Sequence, residues 1–187
     1  MSHVTQRLRV IVPSLLLAAL VGTGCVLTSG QFLVQVDLGD VTVNVVNSTT
    51  LLGGYYVDLT TNGTWKDHKG DIKSIEDLAL VGDIHNSGVS SVTVSAYLLD
   101  GNPGPQPAGT VIATGIRVWG PITVAAGATE HVDWDRSSAL FGAEGKAALL
   151  ERVKGTGQFT LYGTANTAPF TFEIKNGVFI VVVGAAK

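Results

Sequence analysis

The sequence predicts an all-β fold, an antiparallel β-sandwich with one short helix near residues 143–154. Most of the chain after residue 30 consists of short segments in which apolar and polar residues alternate, as in half-buried strands. Turn-forming residues separate these segments into roughly seven to nine strands. A single segment has helical spacing, and no period of about 20–50 residues indicates a repeat array.

The first strand is predicted over residues 31–46. Even-numbered positions are apolar up to Leu38, and odd-numbered positions carry valine from Val41 onward. This change of phase falls at Gly39-Asp40, and it predicts a bulge or a tight turn because a shift of one residue moves every side chain to the opposite face.

Residues 55–59 are predicted as a short strand, and the polar residues 60–70 as turns. Residues 71–77 fit either a helical turn or an extended segment. The alternating residues 78–85 and 92–98 are then predicted to form a hairpin, because the residues between them have turn composition.

The middle of the chain is predicted to continue with a loop and two strands. Residues 100–109 contain three prolines and three glycines, which is typical of a surface loop. One strand is predicted over residues 111–124, with a break at Gly120-Pro121, and another over residues 129–134.

The predicted helix covers residues 143–154, where Ala147, Leu150 and Val153 have helical spacing. Gly155 and Gly157 follow as a stop signal.

The chain then returns to strands, first at residues 159–162 and then in a predicted terminal hairpin. Its strands are residues 170–175 and the almost wholly apolar residues 178–183. Asn176-Gly177 between them is a strong signal for a two-residue turn, because both residue types accept positive φ.

The first 24 residues have the pattern of a secretory leader. Arg7 and Arg9 make the start positive, residues 10–20 are mainly apolar, and small residues follow. The apolar run is shorter than the roughly 20 residues of an ordinary membrane-spanning helix. The predicted organisation is a cleaved leader at residues 1–24, a lipidated tether at residues 25–30 and a single sandwich domain at residues 31–187.

Residues 22–25, Gly-Thr-Gly-Cys, resemble a bacterial lipobox. Thr23 and Gly24 match that pattern, whereas Gly22 stands where leucine is usual. The resemblance implies that the Cys25 sulfur receives a diacylglycerol and that the leader is cut before this residue. Val26 replaces the aspartate that marks inner-membrane retention, which implies an outer-membrane lipoprotein in a two-membrane bacterium. The alternative is an ordinary secretory signal in which the cysteine is incidental.

The composition limits the possible partners. Cys25 is the only cysteine, so no intramolecular disulfide can form. Arg7 and Arg9 are the only charges in residues 1–25, so the remainder carries 10 basic and 15 acidic residues. A mildly acidic domain without a basic run is not expected to bind nucleic acid.

Three motifs between residues 78 and 183 resemble the group-2 late embryogenesis abundant proteins, the water-stress (WHy) domain family. They are a strand–turn–strand element around residues 85–88, an Ala-Ala-Gly element followed by an alternating strand at residues 122–132, and a helix before a strand that ends in Tyr162-Gly163. The proline of the family's turn is absent here. The resemblance implies an immunoglobulin-like or fibronectin-like sandwich with a protective or interactive role and without catalytic residues.

One candidate metal site lies in the predicted strand 129–134 and just beyond it. His131, Asp133 and Asp135 alternate, so a continuous strand would place an imidazole and two carboxylates on one face, a set that can bind a divalent metal. The favoured interpretation is a solvated face opposite Val132 and Trp134, with no metal and no cofactor. The polar loop at residues 67–71 is a weaker cation candidate, because it lacks the spacing of a dedicated calcium loop.

The sequence favours a non-enzyme, since no serine has a nucleophile-elbow context and no phosphate-binding loop is present. The first hypothesis is therefore a lipoprotein that its lipid anchors to the membrane and whose sandwich is a binding or structural module. Its expected partner is a protein of the cell envelope. The second is a secreted subunit that assembles by strand addition through residues 31–45 or 178–183. The third is a metal protein or enzyme at His131, Asp133 and Asp135. The sequence does not fix the oligomeric state.

Overall fold

The computed structural model describes residues 29–166 and 168–186. The strands are β1 (Ser29–Val45), β2 (Leu51–Leu52), β3 (Tyr55–Asp58), β4 (Ile72–Asn86), β5 (Val92–Asp100), β6 (Gln106–Pro107), β7 (Ile116–Val124), β8 (Thr129–Val132), β9 (Gln158–Ala165) and β10 (Phe170–Ala186). The helices are α1 (Gly63–His68), α2 (Ala108–Thr114), α3 (Trp134–Ala139) and α4 (Ala143–Lys154), with 3-10 turns at Leu59–Thr61 and Lys69–Asp71. The first sheet has the order β1-β10-β4-β8, the second has the order β3-β9-β5-β7, and β2 pairs with β6.

The two sheets enclose one apolar core. Phe159 on β9 meets Phe179 on β10 edge to face, with ring centroids 6.4 Å apart. Phe141, just before α4, lies 6.5 Å from the same ring of Phe179. All three side chains are buried. The predicted all-β antiparallel sandwich is therefore confirmed, whereas the predicted leader and Cys25 lie outside the described residues.

A row of bulges crosses three neighbouring strands of the first sheet. Gly39 on β1, Asn176 on β10 and Gly82 on β4 all have positive φ, at 60°, 53° and 146°. A side chain at Gly82 would bring its Cβ to 2.9 Å from the carbonyl oxygen of Lys175, so a close backbone approach requires glycine there. The bulge predicted at Gly39-Asp40 is confirmed, because the pairing of β1 with β10 shifts register on both sides of Gly39.

The hairpin predicted at Asn176-Gly177 is wrong. β10 runs without a turn from Phe170 to Ala186, and it pairs with β1 along one side and with β4 along the other. Asn176 uses its positive φ to form the bulge. The bulge shifts the buried side chains from even-numbered positions such as Phe172 to odd-numbered positions such as Phe179. A local Asn-Gly signal cannot distinguish a turn from a bulge, because both need positive φ.

The hairpin predicted between residues 78–85 and 92–98 is also wrong, because β4 and β5 belong to different sheets. Asn86 holds the corner between them and is fully buried. Its Nδ2 donates to the carbonyl oxygens of Ser90 at 2.8 Å and Val124 at 3.0 Å, and its Oδ1 accepts from the amide of Gly88. These contacts direct the chain across the sandwich instead of back along the same sheet.

The helix predicted over residues 143–154 is confirmed as α4. The other helices were not predicted. Residues 60–70 contain α1, and the loop predicted at residues 100–109 contains β6 and the first residues of α2. The strand predicted from residue 111 begins only at Ile116, because Val111 lies in α2 and is fully buried.

One side of the sandwich is covered by helices. We call the side bounded by β8, β7, α3 and α4 the closed side. Ser137 on α3 joins both sheets there, because its Oγ accepts from the amide of Leu80 on β4 at 2.6 Å and from Nε1 of Trp119 on β7 at 3.0 Å. Ser137 and Trp119 are buried.

Candidate functional site

The three candidate metal ligands do not share a strand face. β8 ends at Val132, and Asp133 caps α3 by accepting the amide of Arg136 at 2.9 Å. Asp135 lies in the first turn of α3. The predicted strand 129–134 is therefore too long, since the sequence Asp-Trp-Asp-Arg starts a helix with a capping aspartate.

His131 remains on β8 and is exposed, with its Nδ1 at 2.6 Å from Oδ1 of Asp83 on β4. Within residues 29–166 and 168–186, no group of three or more His, Cys, Asp or Glu side chains is arranged to hold a metal ion. This statement includes the polar segment at residues 67–71. The His131–Asp83 contact is accordingly a cross-strand pair on the surface of the first sheet.

The three tryptophans all donate their indole N–H to other residues of the fold. Trp65 donates to the carbonyl oxygen of Val153 at 2.9 Å, and Trp119 donates to Ser137. Trp134 is half-buried and donates to Oδ2 of Asp77 at 2.9 Å. Their roles are structural, because each indole connects elements that are distant in sequence.

Tyr97 is half-buried and lines a cleft of about 290 Å³. The exposed Arg117 on β7 lines the same cleft, as does Glu144 in the first turn of α4. The two opposite charges give this cleft no strong preference for the charge of a ligand.

The larger opening lies between the edge strands β1 and β3. We call this the open side. A cleft of about 440 Å³ separates residues 34–37 of β1 from β3 and the 3-10 turn that follows it. This volume is within the range of small-ligand pockets, roughly 300–1,000 Å³. Its apolar floor includes Val34 and Val57, which are both buried.

Tyr55 forms the one hydrogen bond that joins β3 to β1 among the described residues. Its hydroxyl donates to the carbonyl oxygen of Asp37 at 2.5 Å. Beyond it, a second cleft of about 390 Å³ continues between Val41–Asn44 and the segment from Leu51 to Tyr55. The open side is thus a long groove with a single tyrosine across it.

The rim of the first cleft is acidic. The hydroxyl of Thr60 donates to Asp58 at 2.6 Å, and this hydrogen bond holds the pKa of the Asp58 carboxyl below its ordinary value. The backbone amide of Thr60 and the charge of Lys66 act in the same direction. Desolvation, followed by the negative charge of Asp58, raises the pKa of the neighbouring Tyr56 phenol. Asp58 is therefore a stable anion at the edge of a cleft whose floor includes the apolar Val34 and Val57.

The sequence indicated parts of this groove but not the groove itself. Residues 31–45 were predicted as a candidate edge, and residues 55–59 as a short strand. The other candidate edge, residues 178–183, is wrong, because β10 is hydrogen-bonded on both sides. β1 and β3 are edge strands of different sheets, and they lie beside the same cleft because of long-range pairing and sheet packing that no local pattern encodes.

No protein-family model matches the sequence, and no curated protein matches it significantly. Among the described residues, no helix has both the length and the apolar character needed to cross a bilayer.

Proposed function

We propose that this protein is an exported lipoprotein of the bacterial cell envelope, anchored through Cys25, with a non-catalytic β-sandwich that serves as a binding module. The observation that carries the proposal is the position of Cys25. It is the only cysteine in the chain, and it directly follows a leader with a positive start, an apolar stretch and small residues.

The distance between Cys25 and the domain supports anchoring close to a membrane. β1 begins at Ser29, so only three residues separate it from Cys25. Two or three acyl chains at one residue hold a protein stably on a bilayer, whereas a single chain binds reversibly. The predicted outer-membrane location remains part of this proposal.

The binding role is supported by the open side of the sandwich, where apolar, aromatic and acidic groups line one groove. The resemblance to the water-stress family supports the same kind of role, protective or interactive and without chemistry on a substrate. Function therefore depends on the groove, because a sandwich scaffold by itself specifies no ligand.

The anchor is tested by a Cys25→Ser substitution in the full chain, followed by fractionation of cells into membrane and soluble protein. We expect loss of membrane retention, and accumulation of the unprocessed wild type when globomycin blocks the lipoprotein signal peptidase. Gly22→Leu is the matched control, because it restores the usual lipobox residue and should retain the protein on the membrane. Unchanged fractionation of Cys25→Ser would refute the lipid anchor.

A second candidate function is a secreted subunit that assembles by strand addition. The observation that favours it is the 17-residue strand β1 at the edge of the first sheet. Light scattering during size exclusion of the purified protein separates the two proposals. A self-assembled oligomer favours the subunit, and a monomer favours the anchored binding module.

A further inference from the structure

We infer that the outer edge of β1 at residues 31–37 binds an extended, basic peptide segment of a partner protein as an added strand of the first sheet. This inference rests on the binding role proposed above and names its partner. Four observations carry it: the direction of the β1 backbone groups, the lack of edge protection, the groove beside the edge, and the charge of its rim.

The backbone groups of alternate β1 residues point away from the sheet. The carbonyl oxygen of Asp37 accepts from Tyr55, so it faces β3 and not β10. Because backbone groups alternate between the two edges of a strand, those of Gln31, Leu33 and Gln35 face the same way as that of Asp37. These residues therefore present free donors and acceptors to an incoming strand.

A hydrogen bond on the far side of the sheet leads to the same assignment. The amide of Leu80 donates to Ser137, so Leu80 faces away from β10 and its neighbour Ala79 faces β10. Ala79 pairs with Ile180, so the backbone groups of Ile180 face β4 and those of the next residue, Val181, face β1. Val181 pairs with Val34, so the backbone groups of Val34 face β10. Those of its neighbours Leu33 and Gln35 therefore face outward.

The accessible stretch has two defined ends and no protection between them. At one end the ring of Phe32 lies 5.3 Å from the ring of His68 on α1, and at the other end Tyr55 and the Gly39 bulge interrupt the edge. Residues 33–36, which lie between these two ends, span about 13 Å. β1 contains no lysine and no proline, the residues that usually prevent pairing at exposed edges.

The groove can accommodate the side chains of an added strand. Those that point inward would meet the 440 Å³ cleft beside Val34, Val36 and β3. Those that point outward would lie beside the exposed Leu33 and Gln35. Alternating side chains on the two faces are what strand addition requires for specificity.

The charge of the rim identifies the partner as basic. Asp37 and Asp58 line the cleft and Asp40 is exposed just beyond it, so these carboxylates outnumber Lys66, the cation whose charge acts on Asp58. A second copy of β1 would bring Asp37 and Asp40 toward the same carboxylates and supply no cation. A strand carrying lysine or arginine is complementary to this rim.

The test uses the purified full chain and a fluorescein-labelled hexapeptide that alternates lysine and valine, with fluorescence anisotropy as the measurement. We expect saturable binding that weakens as salt rises, and no binding of the matched peptide with glutamate in place of lysine. Gln35→Pro should weaken binding about ten-fold, because it removes an outward amide and obstructs the edge. Gln35→Ala is the matched control and should bind as wild type does.

Methylation of alternate peptide amides provides a test that does not depend on the folding of a variant. One of the two methylation registers should weaken binding about ten-fold, because it removes the donors that face β1. The inference is overturned by a lack of saturable binding, by equal affinity in both registers, or by a homodimer that Gln35→Pro dissociates. None of these results alters the fractionation of Cys25→Ser, so the anchor and the peptide site can fail separately.

Discussion

The closed side and the open side of the sandwich end their sheets in opposite ways. On the closed side, α3 and α4 cover the ends of both sheets, and Ser137 accepts hydrogen bonds from each sheet. On the open side, β1 and β3 face each other across a groove. Among the residues that the structure describes, the Tyr55 hydroxyl forms the one hydrogen bond between these two strands. The fold is thus closed by tertiary contacts on one side and leaves a strand edge accessible on the other.

This difference separates stability from binding. Buried polar groups on the closed side have partners that cannot be replaced by water, so changes there should act on the free energy of unfolding. Polar groups on the open side are exposed or half-buried, so changes to them should act mainly on what binds in the groove.

Ser137→Ala should lower the free energy of unfolding by about 2–4 kcal/mol, because it leaves the Leu80 amide and the Trp119 indole without their acceptor. Ser138→Ala is the matched control on the same helix, and its effect should be smaller because Ser138 is half-buried. Urea unfolding followed by tryptophan fluorescence measures both. Equal effects of the two substitutions would contradict the role given to Ser137.

Tyr55→Phe should cost about 0.5–1 kcal/mol, because it removes one hydrogen bond at a half-buried position and keeps the ring. Tyr56→Phe is the control, since the Tyr56 hydroxyl donates to none of the described residues. The same urea titration compares them. A loss for Tyr55→Phe as large as that for Ser137→Ala would mean that the open side also holds the fold together.

The smallest effect concerns pH. The folded state lowers the pKa of Asp58. The stability that this carboxylate contributes is therefore complete above its ordinary pKa of about 4. That stability is lost as the pH falls through the lower pKa of the folded state. Asp58→Asn keeps an oxygen for Thr60 but removes the charge. Its urea midpoint should lie below wild type at pH 7 and converge with it under acid, and a constant difference across this range would contradict the assignment. Asp67→Asn controls for removal of an exposed carboxylate.

Local patterns predicted the sandwich, the bulge at Gly39 and the helix at residues 143–154, because alternation and helical spacing report burial within one segment. They did not predict which strands pair. Asn176-Gly177 has the composition of a turn, yet its strand continues, because the pairing of β10 with both β1 and β4 shifts register at this level. Asn86 directs the chain to the other sheet through contacts with Val124, which is 38 residues away. The groove depends on this same long-range pairing.

The central claim is that alternate residues of β1 are free on the open side and become paired by a bound strand. Hydrogen exchange of individual amides, followed by NMR with and without the lysine–valine peptide, tests it most directly. We predict that the amides of Leu33 and Gln35 exchange fast in the free protein and slowly with peptide, whereas those of Val34 and Val36 are slow in both. Slow exchange of Leu33 and Gln35 in the free protein, or no change on adding peptide, would contradict the account.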